Sequence, residues 1–146
     1  MTYGEAKNSS RALGGGLLAL GLLVSTAGLA QAQSVEFGKA LFQQNCAACH
    51  GAEGAGDGPV AKYIEPKPAD LGQLAASNDG VYPFGRVWES IASGSYSAHG
   101  TSMMPVWGDL FMWEALPKEV HPGISAQNLV EARMLALTYY IQSLQE

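Results

Sequence analysis

The apolar positions of the chain fall into stretches of unlike rhythm. Residues 12–30 read ALGGGLLALGLLVSTAGLA, apolar and without a charge. Residues 51–73 are rich in Gly and Pro, show no period, and are expected to form loop. Elsewhere the spacing is helical, clearest in the last segment. There Val130, Met134, Leu137, Ile141 and Leu144 recur at alternating four- and three-residue steps, with Glu131 and Arg133 off the stripe. Ser125 is placed to cap that helix, and Ile124 and Leu129 stand where a hydrophobic staple would form. A first helix is predicted over about 35–46, capped by Ser34 and with Glu36 in its first turn. Gly38, Leu41, Phe42 and Asn45 share one side of it. Gly38 is a poor helix former, so a close crossing with the last helix is expected there. A middle helix is predicted over about 84–93, with Val87, Trp88 and Ile91 on one face and Gly94 at its end. A loop then covers 94–108, and a short helix 109–115. No strand alternation appears, so the expected class is all-α.

The first apolar run follows a polar start carrying Lys7 and Arg11 against Glu5, and it ends in Ala30-Gln31-Ala32. Charged start, apolar middle and a small-x-small end describe a secretory signal peptide over 1–32, leaving one domain over 33–146. A membrane anchor is the alternative if the segment is not removed, because the run lies near the lower length limit for a bilayer span. Its glycines and its end favour cleavage and export to the periplasm. No arginine pair suggests the twin-arginine route. Residues 33–146 hold six Lys and Arg against twelve Asp and Glu, a net charge of −6, which argues against a nucleic-acid partner.

The only two cysteines stand in Cys46-Ala47-Ala48-Cys49-His50. This is the spacing of covalent haem attachment. Residues three apart share one side of a helical turn, so two thioethers can reach the two vinyl groups of one porphyrin edge. His50 then brings an imidazole to the iron. It must be neutral, with its other ring nitrogen donating to a backbone carbonyl. The proline-rich stretch at Pro59, Pro66 and Pro68 is the expected source of that carbonyl. A thiol–disulfide pair would sit in a strand–helix alternation that is not visible, and tetrahedral zinc would need further ligands. For the sixth ligand, Met104 directly precedes Pro105, whose fixed φ favours an extended loop able to carry the thioether to the iron. Met103 and His99 are its rivals, and His121 reads as a surface residue. Trp107 is the aromatic expected to lie against the porphyrin.

Taken together, the segments Gly38-Lys39-Ala40-Leu41-Phe42, Asn45 through Gly51, Gly54-Ala55-Gly56-Asp57-Gly58-Pro59 and Pro66-Lys67-Pro68-Ala69-Asp70-Leu71 resemble the class I c-type cytochromes. Ile91-Ala92-Ser93-Gly94, Met104-Pro105-Val106-Trp107 and Tyr139 through Leu144 extend that likeness. The resemblance implies a cytochrome c-like fold of three to five short helices around one haem c, held by Cys46 and Cys49 and ligated by His50 and Met104. It implies a single-electron carrier of the periplasm, cycling between Fe(II) and Fe(III), rather than an enzyme. Its partners would be a donor dehydrogenase or cytochrome complex and an acceptor oxidase or reductase. The alternative is a haem c subunit or docking module of a larger dehydrogenase or oxidase, with the insert at 109–124 as its interface. An enzyme or gas sensor would instead need an open sixth position. No Ser, His and Asp spacing suggests a catalytic triad, so no catalytic residue is assigned.

Overall fold

The computed structural model describes residues 32–93, 104–116 and 124–145. Among them every regular element is helical. Helix α1 runs through 32–45, α2 is Ala47–His50, α3 is Phe84–Ser93, α4 is Trp107–Ala115 and α5 is Ala126–Ser143. Short 3-10 turns at Ala61–Tyr63, Leu71–Gln73 and Ala76–Asn78 punctuate the segment between α2 and α3. The described residues from Gln33 onward cluster as one unit. None of their helices is long and apolar enough to cross a membrane. The leader expected over 1–32 lies outside the described residues except for Ala32, as do His99, Met103, His121 and Gly94.

Helix α5 is the axis of the packing. Its predicted stripe is the buried one: Val130, Met134, Leu137 and Ile141 are all at most 4 % exposed. The stripe is only part of the buried surface, because Ala136, Thr138 and Tyr140 are also buried. Two sides of α5 are covered. Helices α3 and α4 pack against it and against each other, while α1 crosses the other side at Gly38. A Cβ on Gly38 would overlap the Ala136 carbonyl and stand 2.9 Å from the Tyr140 Cβ. The glycine expected at a close crossing is therefore the point of contact. Beside it, the Phe42 and Tyr140 rings meet with centroids 5.2 Å apart.

Polar groups taken into this core are satisfied. The Thr138 hydroxyl donates to the Met134 carbonyl at 2.8 Å, and the Tyr82 hydroxyl donates to the Thr138 carbonyl at 2.9 Å. Burial raises the Tyr82 pKa, which keeps that donor protonated. Arg133 on α5 pairs with Glu114 on α4 at 2.7 Å and lies over the Phe111 ring, 5.3 Å from its centroid.

Two boundaries differ from expectation. Helix α1 is already running at residue 32, so Ser34 is inside it and is no cap. It is already formed two residues before the serine that looked like its start signal. Helix α4 starts at Trp107 rather than 109, which shortens the methionine loop. Ser125 does cap α5, accepting from the Asn128 N–H at 3.2 Å. Of the two staple residues, Ile124 is 50 % exposed and Leu129 packs against the core.

Candidate functional site

The backbone turns at Cys46, and the five-residue motif winds into α2 immediately after α1. A short helix leaves its carbonyls without helical partners. Here the following loop supplies a donor for every one. Gly51 N–H donates to Ala47 (2.9 Å), Val60 to Ala48 (3.1 Å), Gly58 to Cys49 (3.2 Å) and Gly56 to His50 (2.8 Å). The Gly- and Pro-rich stretch, aperiodic in sequence, is thus a clasp on the motif. Gly56 sits at φ +75°, and a Cβ there would stand 2.5 Å from the Pro68 carbonyl oxygen. Only glycine lets the two arms of the loop approach so closely.

His50 is buried, and its Nδ1 lies 3.1 Å from the Ala69 carbonyl oxygen. A carbonyl can only accept, so this contact selects the Nδ1–H tautomer and places the ring lone pair on Nε2. The partner is the residue after Pro68 rather than one of the prolines. The Ala69 region is anchored in turn by Leu71 N–H to the Gly54 carbonyl at 2.7 Å.

His50 opens onto a cavity of about 340 Å³ that Cys46 and Met104 also line. Its walls are apolar: Phe42 from α1, Leu71 and Leu74 from the loop, Val87 and Ile91 from α3, Leu137 and Ile141 from α5. Ser77, Ser90 and Arg86 add the few polar groups, and among the described residues Arg86 is the only lining one with a permanent charge. The Ser90 hydroxyl is already bonded to the Arg86 carbonyl at 2.8 Å. Size and lining suit one large, flat, mainly apolar ligand.

Of the four residues singled out from sequence, Cys46, His50 and Met104 meet at this cavity. Cys49 is half-buried one turn on and does not line it. Burial, and secondarily Cys49, pushes the Cys46 thiol up to about 12. A reactive dithiol needs the opposite shift, toward thiolate. Among the described residues no three His, Cys, Asp or Glu side chains converge as zinc ligands would. Trp107 is the aromatic expected against the porphyrin. It turns toward Phe111, ring centroids 5.6 Å apart, and does not line the cavity. As the first residue of α4, its direction is set by that helix and not by the preceding loop. The sequence reading missed Arg86, whose only trace is its four-residue spacing from Ser90 beside the apolar face of α3.

The donor set fits a haem: a cysteine at the turn before α2, a second cysteine and a tautomer-fixed histidine on it, and a methionine at the same apolar cavity. Comparison with curated proteins and with solved structures returns no match. A family model described as Cytochrome c matches residues 35–145, a span that takes in α2, the clasping loop, Met104 and α5. With most of its length so matched, the chain belongs to the cytochrome c family, whose members bind haem c and carry electrons.

Proposed function

We propose that the chain is an exported, single-haem electron carrier, with haem c attached through Cys46 and Cys49 and ligated by His50 and Met104. The observation that carries this reading is the meeting of Cys46, His50 and Met104 at one apolar cavity, with His50 Nδ1 held by Ala69. When bound, the haem supplies one-electron chemistry between ferrous and ferric iron.

The chain's own residues do the rest. The Nδ1–H bond to Ala69 fixes the imidazole plane and makes Nε2 a better donor. The Met104 thioether favours the reduced state and so raises the potential. Leucine, isoleucine, valine and phenylalanine walls keep water from the centre. The Arg86 guanidinium is a partner for the carboxylates that a haem carries. No side chain is required to move a proton. The polar start, apolar run and Ala30-Gln31-Ala32 support export to the periplasm, where donor and acceptor proteins would meet the carrier.

The test is the mass and optical spectrum of the exported polypeptide, oxidised and reduced, with and without carbon monoxide. The expected result is one haem added through two thioethers, the weak red absorption of methionine bound to ferric haem, and no carbon monoxide binding at neutral pH. Free thiols without added mass would sink the reading. Ready carbon monoxide binding would remove Met104 as ligand.

A second reading, a haem subunit docked permanently in a larger complex, is favoured by Leu110, Trp113 and Leu116. These lie on or just after α4 at three-residue steps and are 43 %, 76 % and 64 % exposed. Gel filtration of the native protein separates the two: a monomer supports the free carrier, a stable larger complex the subunit.

A further inference from the structure

Just beyond α5, Gln145 reaches back to the loop beneath the cavity. Its Nε2 donates to the carbonyls of Leu71 and Ile141, both at 2.7 Å, and its Oε1 accepts from the Ala75 N–H at 2.8 Å. The amide orientation is fixed by its surroundings, since the reverse would set oxygen against two carbonyls. One side chain therefore grips both ends of the 71–75 turn and ties them to the last turn of α5. That turn supplies Leu71 and Leu74 to the cavity wall. Two residues before it lies Ala69, whose carbonyl oxygen is 3.1 Å from His50 Nδ1. The link between them is short and stiff. Asp70 Oδ1 accepts from Gly72 N–H at 2.9 Å, and Leu71 N–H donates to Gly54 at 2.7 Å. A shift of Leu71 reaches Ala69 through the single residue Asp70.

We infer that Gln145 is a positioning residue for the proximal histidine. By clamping the 71–75 turn it keeps the Ala69 carbonyl on His50 Nδ1, and so holds the ring plane and the basicity of the nitrogen facing the iron. This rests on His50 being the iron ligand.

The test uses the mature haem-loaded protein with Gln145→Ala and Gln145→Met; the second keeps the bulk and removes all three hydrogen bonds. Hydrogen exchange of the His50 Nδ1 proton and of backbone amides is followed by NMR in the reduced state, with the reduction potential alongside. Both variants should keep their haem and the methionine band. The His50 proton and the Leu71 and Ala75 amides should exchange faster by about tenfold or more, the scale expected from losing such bonds. The potential should rise, because a less basic imidazole stabilises ferric iron less. If only the amides of 142–145 quicken and the His50 proton and the potential hold, Gln145 merely closes a helix end and the inference is overturned. Wild-type behaviour from Gln145→Met overturns it as well. In the unmutated protein, slow exchange of the Ala75 amide supports the clamp and open-loop exchange refutes it. Failure of His50 as ligand would show in the unmutated spectrum, before any substitution.

Discussion

Around His50, four consecutive carbonyls of α2 are each held by an N–H of the next loop, and the imidazole is held by Ala69. Around Met104, the order has another source. Met104 is half-buried against the core, Pro105 is exposed, and α4 starts at Trp107 with no side chain capping it. Directional bonds fix the histidine, whereas packing and a proline fix the methionine. Hydrogen-bonded backbone resists displacement in every direction, while a packed thioether on an extended segment resists mainly through the contacts of one side chain. The two sides of the cavity should therefore respond to different kinds of substitution.

The largest effect should come from removing the attachment itself. Cys46→Ala or Cys49→Ala should leave at most one thioether and little mature holoprotein, because cofactor binding is coupled to folding. Mass spectrometry and pyridine haemochrome yield check this, and normal yield with two intact links would contradict it.

Met104→Ala comes next. It should abolish the red methionine band, lower the potential and admit carbon monoxide to the reduced iron, while far-UV circular dichroism stays near wild type. A retained band would assign the thioether to Met103.

Gly56→Ala should do the reverse. A Cβ at φ +75° against the Pro68 carbonyl should cost about 2–3 kcal/mol of stability. The methionine band should persist in the folded fraction. Denaturant titration followed by both signals would show whether the two surroundings fail separately.

The smallest effect is expected at Arg86, which reaches the cavity from α3 and belongs to neither set of supports. Arg86→Gln should lower the potential modestly, since losing a cation eases ferric iron, and should leave both the band and the denaturation midpoint unchanged. An unchanged potential in voltammetry would place the guanidinium away from the iron's field.

The sequence was most informative where a residue type has one job. Gly38 announced the helix crossing, Ser125 the cap of α5, and the four- and three-residue steps its buried stripe. Helix α3 was readable end to end, because Val87 and Ile91 keep time across a segment bounded by proline and glycine. The motif Cys46 to His50 and the pair Met104-Pro105 pointed to one place, and three of those side chains do line one cavity. What escaped depends on how distant segments meet. Which carbonyl reaches His50 is set by a loop path fixed through Gly54, Gly56 and Gln145, the last 74 positions from its partner Leu71. The pairing of Trp107 with Phe111, four residues apart on α4, was hidden by the expected helix start at 109. The onset of α1 escaped because a serine inside a helix looks the same in sequence as one at its start.

The clasp on α2 also bears on how this chain can change. Its donors at 51, 56, 58 and 60 meet successive acceptors at 47, 50, 49 and 48, so their count along the chain is the constraint, while the side chains of Ala52, Glu53 and Ala55 point into solvent. This stretch is open to new side-chain chemistry, such as a label or an altered docking charge, but closed to a single inserted or deleted residue, which would put the three donors at 56, 58 and 60 out of step at once.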